Sequence, residues 1–386
     1  MRFLQKDRVE KTIIVLSDLH LGAGAIVSGR RNHLEEFHYD KELVDLFEYY
    51  STGDYGSREV ELILNGDVFD FLAIPFVKYF DDEFWSEKAS LEKFKMAINA
   101  HREVIEALGK FAGGKKKKIV YIIGNHDAEL VFESLRNYFF EQLPVKSRSN
   151  VEVLLRPSGE YIPVAGVLVK HGHEYDISNN IDFKKSIIED EEGAKYFLPP
   201  WGSYFVTRIL NKFKEEKSEI DAVRPIKKFL INGLIYDSLF TIRFIFSSLY
   251  YFFMIRFLYV FKQQRNFKTV WAYLRDDFFV FKDYEAITYD IIKKNPGTNV
   301  LIMGHTHMPA HKVYPDGKVF INTGTWVDMH YLDFERIRDG GLLTYAQIDV
   351  SDSKNESEEI PSEKLDGFNI SLNAWKGRNE LPFVEF

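Results

Sequence analysis

Four short, largely β-branched apolar runs in this chain are each followed at once by a polar island carrying Asp, Asn or His. The runs are 12–16 (TIIVL), 60–64 (VELIL), 119–123 (IVYII) and 300–303 (VLIM). Their islands are Asp18-Leu19-His20, Asn65-Gly66-Asp67-Val68-Phe69-Asp70, Gly124-Asn125-His126-Asp127 and Gly304-His305-Thr306-His307. A fifth island, His171-Gly172-His173, closes the run 164–170. Runs of this kind read as short buried strands. Polar residues at the carboxyl ends of neighbouring strands stand where open α/β sheets bind what they act on. The pattern therefore restricts the chain to an α/β fold with its chemistry gathered at one sheet edge.

Between the runs, apolar residues at helical spacing predict helices over 34–50 and 91–111, the second stopped by Gly113-Gly114. The lysines at 115–118 read as a solvated turn. Further strands are expected at 151–155, 164–170, 319–321 and 341–350. Strand and helix alternate early, and several strands follow in succession late, which suggests a layered α/β sandwich rather than a purely parallel sheet. The order divides into a first core part over 1–174, a mainly helical aromatic-rich insertion over 175–295, a second core part over 296–350, and a polar tail over 351–386.

The 386 residues include no cysteine, which removes thiolate metal sites, disulfides and a Cys nucleophile together. The islands thus offer oxygen and nitrogen donors only. Such a set suits manganese, iron, cobalt or zinc, with manganese the first expectation. A net charge of −8 argues against a non-specific grip on nucleic acid. Residues 1–11 are charged and lack the apolar core of a secretory signal, so the expected location is the cytoplasm.

Taken in order, the five islands resemble the signature of the calcineurin-like metallophosphoesterases: D-x-H, G-D-x-x-D, G-N-H-D/E, a lone H, and G-H-x-H. The resemblance spans 12–173 and 300–350. It implies a four-layer α/β/β/α sandwich, here with the helical insertion as a cap, and two divalent metal ions. By the family pattern Asp18, His20, Asp67 and His307 would hold one ion, and Asp67, Asn125, His171 and His305 the other, with Asp67 bridging. The implied reaction is attack on the phosphorus of a phosphodiester or pyrophosphate by a hydroxide shared between the ions, since bound metal lowers a water pKa from ~15.7 to about 7. His126 is the expected general acid for the leaving oxygen, with Asp127 orienting it, and Asp70 is expected to orient a ligand in the same way. In His171-Gly172-His173 either imidazole could ligate. His171 is preferred because the family's lone His closes a strand, and His173 then contacts substrate or packs. His33, His38, His101, His311 and His330 read as surface or satisfied histidines. Asn322-Thr323-Gly324-Thr325-Trp326 resembles the N-T-G-S/T-W loop that follows G-H-x-H in bacterial members, and reads either as a turn near the metals or as a turn without chemistry.

The insertion is unusual over 229–261, where aromatic and aliphatic residues dominate and Arg243 and Arg256 interrupt them. No apolar run there reaches the ~18 residues of a spanning helix. Two readings stand. One is a helical pair that buries its aromatics on the core. The other is a lid whose apolar face receives acyl chains or lies on a membrane, with Arg224, Lys227, Lys228, Arg256, Lys262, Arg265 and Lys268 facing anionic headgroups. The UDP-2,3-diacylglucosamine hydrolases belong to the same superfamily and carry a smaller helical insertion. This chain is similar to them but has His126 after Asn125 where they typically have Arg. The expected substrate is a phosphodiester or pyrophosphate with a lipid part, such as a sugar-nucleotide lipid, met at the inner face of a membrane through 229–261. The alternatives are a soluble phosphatase or phosphodiesterase acting on nucleotides, phosphoproteins or nucleic acid, and a non-catalytic scaffold. The scaffold ranks last because no ligand position is lost.

Overall fold

A computed structural model describes residues 9–76, 82–156, 159–176, 178–224, 226–262, 284–331, 342–351 and 368–378. Eleven strands build its two large sheets. In chain order they are β1 (Val9–Leu16), β2 (Glu59–Asn65), β3 (Lys117–Ile122), β4 (Val151–Leu154), β5 (Tyr161–Val164), β6 (Val167–Val169), β7 (Val300–Met303), β8 (Ala310–Val313), β9 (Val319–Asn322), β10 (Thr344–Ser351) and β11 (Phe368–Ala374). The first sheet has the order β11-β10-β1-β2-β3-β4. In it β1 to β4 run parallel, while β10 and β11 are antiparallel additions beside β1. The second sheet has the order β8-β9-β7-β6-β5, with a parallel centre and antiparallel edges.

The side-chain period of two explains how the sheets stack. Ile13 and Val15 of β1, Ile63 of β2, and Val120 and Ile122 of β3 meet Val167, Val169, Val300 and Ile302 between the sheets. The alternate residues Ile14, Leu16, Leu62 and Leu64 point the other way, into a helical layer. That layer consists of α1 (Asp40–Tyr49), α2 (Glu87–Ala100), α3 (Arg102–Ala112) and α4 (Glu133–Gln142). After it come the cap helices: α5 (Trp201–Phe205, continued through Val206–Leu210 and Asn211–Lys214), α6 (Ile226–Tyr236) and α7 (Ser238–Lys262). Finally α8 (Tyr284–Lys294) covers the outer face of the second sheet, packing Ile291 and Ile292 on Leu301, Met303 and Phe320. The result is the four-layer α/β/β/α sandwich. Strands covered on both faces are apolar at most positions, which is why they stand out as nearly continuous runs.

Several local expectations are revised. The helix expected from residue 34 begins at Asp40. The residues before it are held in a loop, because Glu35 accepts hydrogen bonds from the backbone amides of Gly22 and Gly24. The single helix expected over 91–111 is two helices that meet at His101, whose φ of −110° and ψ of 37° are not helical. Only half of the lysine run is a solvated turn: Lys115 and Lys116 are exposed in a turn, but Lys117 and Lys118 belong to β3, and the buried Lys117 Nζ donates to the carbonyls of Tyr55, Arg58 and Lys115. The run 164–170 holds a turn between β5 and β6, with Gly166 at φ 89°. Within the expected polar tail, β11 pairs along the whole of β10 and tucks Phe368 and Ile370 between the sheets. Residues 352–367 and 379–386, together with Gly341, Arg265 and Lys268, lie outside the described residues. Among the described residues no helix is long and apolar enough to cross a membrane.

Candidate metal centre

The loops that leave β1 and β2 continue the pairing of those strands past their ends. The amides of Asp18, His20 and Leu21 donate to the carbonyls of Gly66, Asp67 and Val68 at 3.1, 3.0 and 2.9 Å. In the second sheet Gly304 N donates to His171 O at 2.9 Å and Thr323 N to Met303 O at 2.9 Å. All five islands thereby meet at one end of the sandwich.

Backbone strain marks the same spot. Seven non-glycine residues among those described have positive φ, and five of them are Asp18 (52°), His20 (56°), Asp67 (52°), His305 (69°) and His307 (61°). Such a conformation costs on the order of 1 kcal/mol or more per residue and persists where the surroundings enforce it, commonly at functional sites. Two glycines are required by close approach. A Cβ on Gly124 would meet Asp67 Oδ1 at 2.2 Å, and one on Gly304 would meet Asp18 Oδ2 at 2.4 Å.

The donors fall into three groups, each with its ligand atoms within 4.8 Å of one another: Asp18–His20–His307, Asp67–His171–His305, and His20–Asp70–His126. In the first, His20 Nε2 faces His307 Nε2 at 3.1 Å, and His307 Nε2 lies 3.4 Å from Asp18 Oδ1. Asp18 also accepts from the amide of His305. In the second, His171 donates from Nδ1 to Asn65 O at 2.8 Å, and its Nε2 lies 3.1 Å from Asp67 Oδ2. His305 donates from Nε2 to Asp176 Oδ2 at 3.0 Å, which leaves Nδ1 as its lone-pair nitrogen. Asn125 is buried, and its Oδ1 has no hydrogen-bond partner. Imidazole nitrogens and carboxylates converging without protons enough to satisfy one another, beside an orphan carboxamide oxygen, are what a divalent cation would satisfy. The donor set fits two such ions.

The third group does other work. Asp70 Oδ1 accepts from His126 Nδ1 at 2.9 Å and from the amides of Leu72 and Ala73, while its Oδ2 lies 3.4 Å from His20 Nδ1. Asp70 thus fixes His126 and His20 together. This corrects the role expected for Asp127. Its carboxylate is engaged by Tyr121 Oη at 2.6 Å and by the amides of Gly124 (2.6 Å) and Val68 (2.8 Å), so it braces the loop and does not orient His126.

Electrostatics follow from burial and pairing. Burial pushes Asp18 up, but the hydrogen bond from His307 and the charges of His171 and His307 hold it below the carboxylate range. Burial likewise works against Asp67, and His171 and His126 hold it well below that range. Burial lowers His126, yet the charges of Asp70 and Asp67 lift it to about 9. His171 is lifted to about 10 by Asp67 against its burial. Asp127 rises to about 6, through burial first and Asp67 second. His173 is buried with both ring nitrogens unpartnered, and burial lowers it to about 4. Its ring packs edge-on against Phe183, 6.2 Å between centroids. His101 is buried, with Nδ1 donating to Asp40 at 2.7 Å and Nε2 3.5 Å from Glu35 Oε1.

Residues outside the five islands complete the centre. Asp176 holds His305 and is lowered to about 2: burial raises it, but the hydrogen bond and charge of His305 outweigh that. The Asn322-to-Trp326 loop straps the two sheets together. Asn322 Nδ2 donates to Gly304 O at 2.8 Å, Thr325 Oγ1 to Asp18 O at 2.7 Å, and Thr323 Oγ1 meets Ser17 Oγ at 2.5 Å. From the centre a cavity of about 1260 Å³ runs under the cap. It is lined by His20, Asp67, Asn125, His126, His305 and His307 of the centre, by Trp201, Phe205, Leu210, Phe229 and Phe244 of the cap, and by the charged Glu36, Lys214 and Asp221.

The family described as calcineurin-like phosphoesterase matches residues 11–309. No curated protein matches the chain. Among solved structures, a dimetal phosphatase from Danio rerio is 11% identical with a TM-score of 0.36, over 96% of this chain and 100% of that one. A candidate 5′-nucleotidase from Staphylococcus aureus in complex with alpha-ketoglutarate is 9% identical with a TM-score of 0.36, over 97% of this chain and 56% of that one. A 5′-nucleotidase from Candida albicans is 11% identical with a TM-score of 0.31, over 95% and 52%. Those overlays are distant, and family membership rests on the family match.

Proposed function

The chain belongs to the calcineurin-like phosphoesterase family and is a metal-dependent phosphoester hydrolase; from that premise we propose that it uses two divalent ions to cleave a phosphodiester or pyrophosphate bearing a lipid part. Asp18, His20 and His307 would hold one ion, Asn125, His171 and His305 the other, and Asp67 both. When bound, the ions supply an acidified water as nucleophile and neutralise charge on the phosphate oxygens. The chain's own residues do the rest. Asn65 O fixes the tautomer of His171, and Asp176 that of His305, so that each presents one lone pair. His126 lines the cavity with Nδ1 engaged by Asp70, so its Nε2 proton is the one available to the departing oxygen.

The observation that carries the metal assignment is the convergence of unsatisfied donors on strained backbone. The lipid part is supported by the apolar cap side chains in the cavity wall and by the cavity's volume, which exceeds the 300–1,000 Å³ or so of ordinary small-molecule sites. That reading brings the protein to the inner face of a membrane, and manganese is the first ion to test. Asp67→Ala should lower hydrolysis of bis(p-nitrophenyl) phosphate in Mn²⁺ by about 100-fold or more. Unchanged turnover would remove Asp67 from the centre. A sugar-nucleotide pyrophosphate with acyl chains should be cleaved with kcat/KM at least about 10-fold above the same headgroup without them. Equal values would return the substrate to soluble nucleotides.

A further inference from the structure

Helix α7 is rich in apolar residues that are spread around it with little periodicity. A helix of that kind is ordinarily enclosed, by a core or by lipid. Here only one side is enclosed. Phe240 and Tyr251, with Phe244 partly buried, pack on Ile209 and Phe213 of α5. The opposite side is a stripe at helical spacing, Leu239, Ile242, Phe246, Leu249 and Phe253, and it is open, with Leu239 78% and Phe246 68% exposed. On α6 the stripe continues through Ile231, Leu234 and Ile235. Contiguous exposed apolar surface of this extent marks an interaction site.

Charge indicates the occupant. Residues 226–262 hold five basic side chains, Lys227, Lys228, Arg243, Arg256 and Lys262, against one acid, Asp237, in a chain whose net charge is −8. Asp237 is itself engaged by Lys217 Nζ at 2.6 Å and Arg243 by Glu216 at 2.7 Å, which leaves Lys227, Lys228, Arg256 and Lys262 as the basic residues this segment adds. A second copy on this face would set basic hairpin against basic hairpin. Apolar residues in a basic setting match an anionic lipid surface. Meanwhile Phe229, Leu230, Phe244 and Ser248 of the same two helices line the cavity that leads to the metal centre.

We propose that the outer face of the α6–α7 hairpin docks on an anionic lipid layer, so that the hairpin stands between that layer and the catalytic cavity. Why such docking is useful rests on the lipid-bearing substrate; the docking itself is measured without turnover. The full chain with its metals is floated with phosphatidylcholine vesicles with and without phosphatidylglycerol. It should rise with the anionic vesicles and be released by salt. The double variant Leu239→Glu/Phe246→Glu should lose about ten-fold in partitioning, with its thermal unfolding midpoint and its hydrolysis of bis(p-nitrophenyl) phosphate unchanged. Wild-type protein that stays unbound, a double variant that floats as well as wild type, or a wild-type dimer that the two changes split into monomers would each overturn the proposal. The phosphoester reading fails independently, through lack of turnover on the soluble diester.

Discussion

Asp70 joins the two tasks of the centre. One oxygen takes His126 Nδ1 and two backbone amides, and the other faces His20, so a candidate proton donor and a candidate metal ligand are oriented by one buried carboxylate. His126→Ala should slow diesters with poor leaving groups at least about ten-fold more than p-nitrophenyl esters, which need little protonation. Losses of equal size, read from kcat across a series of leaving groups, would remove His126 as the acid. The ligand types were legible in the sequence because each island is short and follows a strand. Their partners were not. Asp127 adjoins His126 in the chain, yet the turn after Gly124 aims its carboxylate back at Tyr121 and two amides. The true partner lies 56 residues away. Asp176 was missed because it follows His171-Gly172-His173 without belonging to any motif, and only folding brings it to His305.

Strands were the easiest elements to read. β7 falls where the apolar run predicts, because both of its faces are covered and no position needs to be polar. Helix limits were harder, since tertiary hydrogen bonds override local periodicity. The clearest case is His101 between α2 and α3, which donates to Asp40 and lies 3.5 Å from Glu35. Burial lowers this imidazole, but the two carboxylates outweigh it and lift the pKa to about 9. The folded value is then above the unfolded one, so the stabilisation is complete below about pH 6.5 and disappears as pH rises through about 9. It amounts to on the order of 2 kcal/mol once the part-exposed Asp40 is discounted. Urea unfolding should show wild type losing about that much more between pH 6 and pH 10 than His101→Gln, since the other raised histidines, His126 and His171, titrate alike in both proteins. Parallel curves for the two proteins would refute the assignment. β11 escaped notice because it alternates apolar and polar residues within a Ser- and Asn-rich stretch, and only pairing with β10 makes its apolar face internal.

At the scale of the molecule, two sheets deliver donors from residues 18 to 307 to one end, and helices of the cap wall a large cavity there. Five islands in order made the sandwich and its catalytic edge legible, since each fixes a strand end. The cap was legible only as helical and apolar. Which of its faces would be covered depends on how α6 and α7 lean on α5, and the sequence of α7, apolar with little periodicity, carries no clear signal for that. Anomalous scattering from a crystal of the full chain soaked in manganese tests the central claim most directly. Two peaks are predicted, one among Asp18, His20 and His307 and one among Asp67, Asn125, His171 and His305. A single peak at saturation, or a peak among His20, Asp70 and His126, would contradict it.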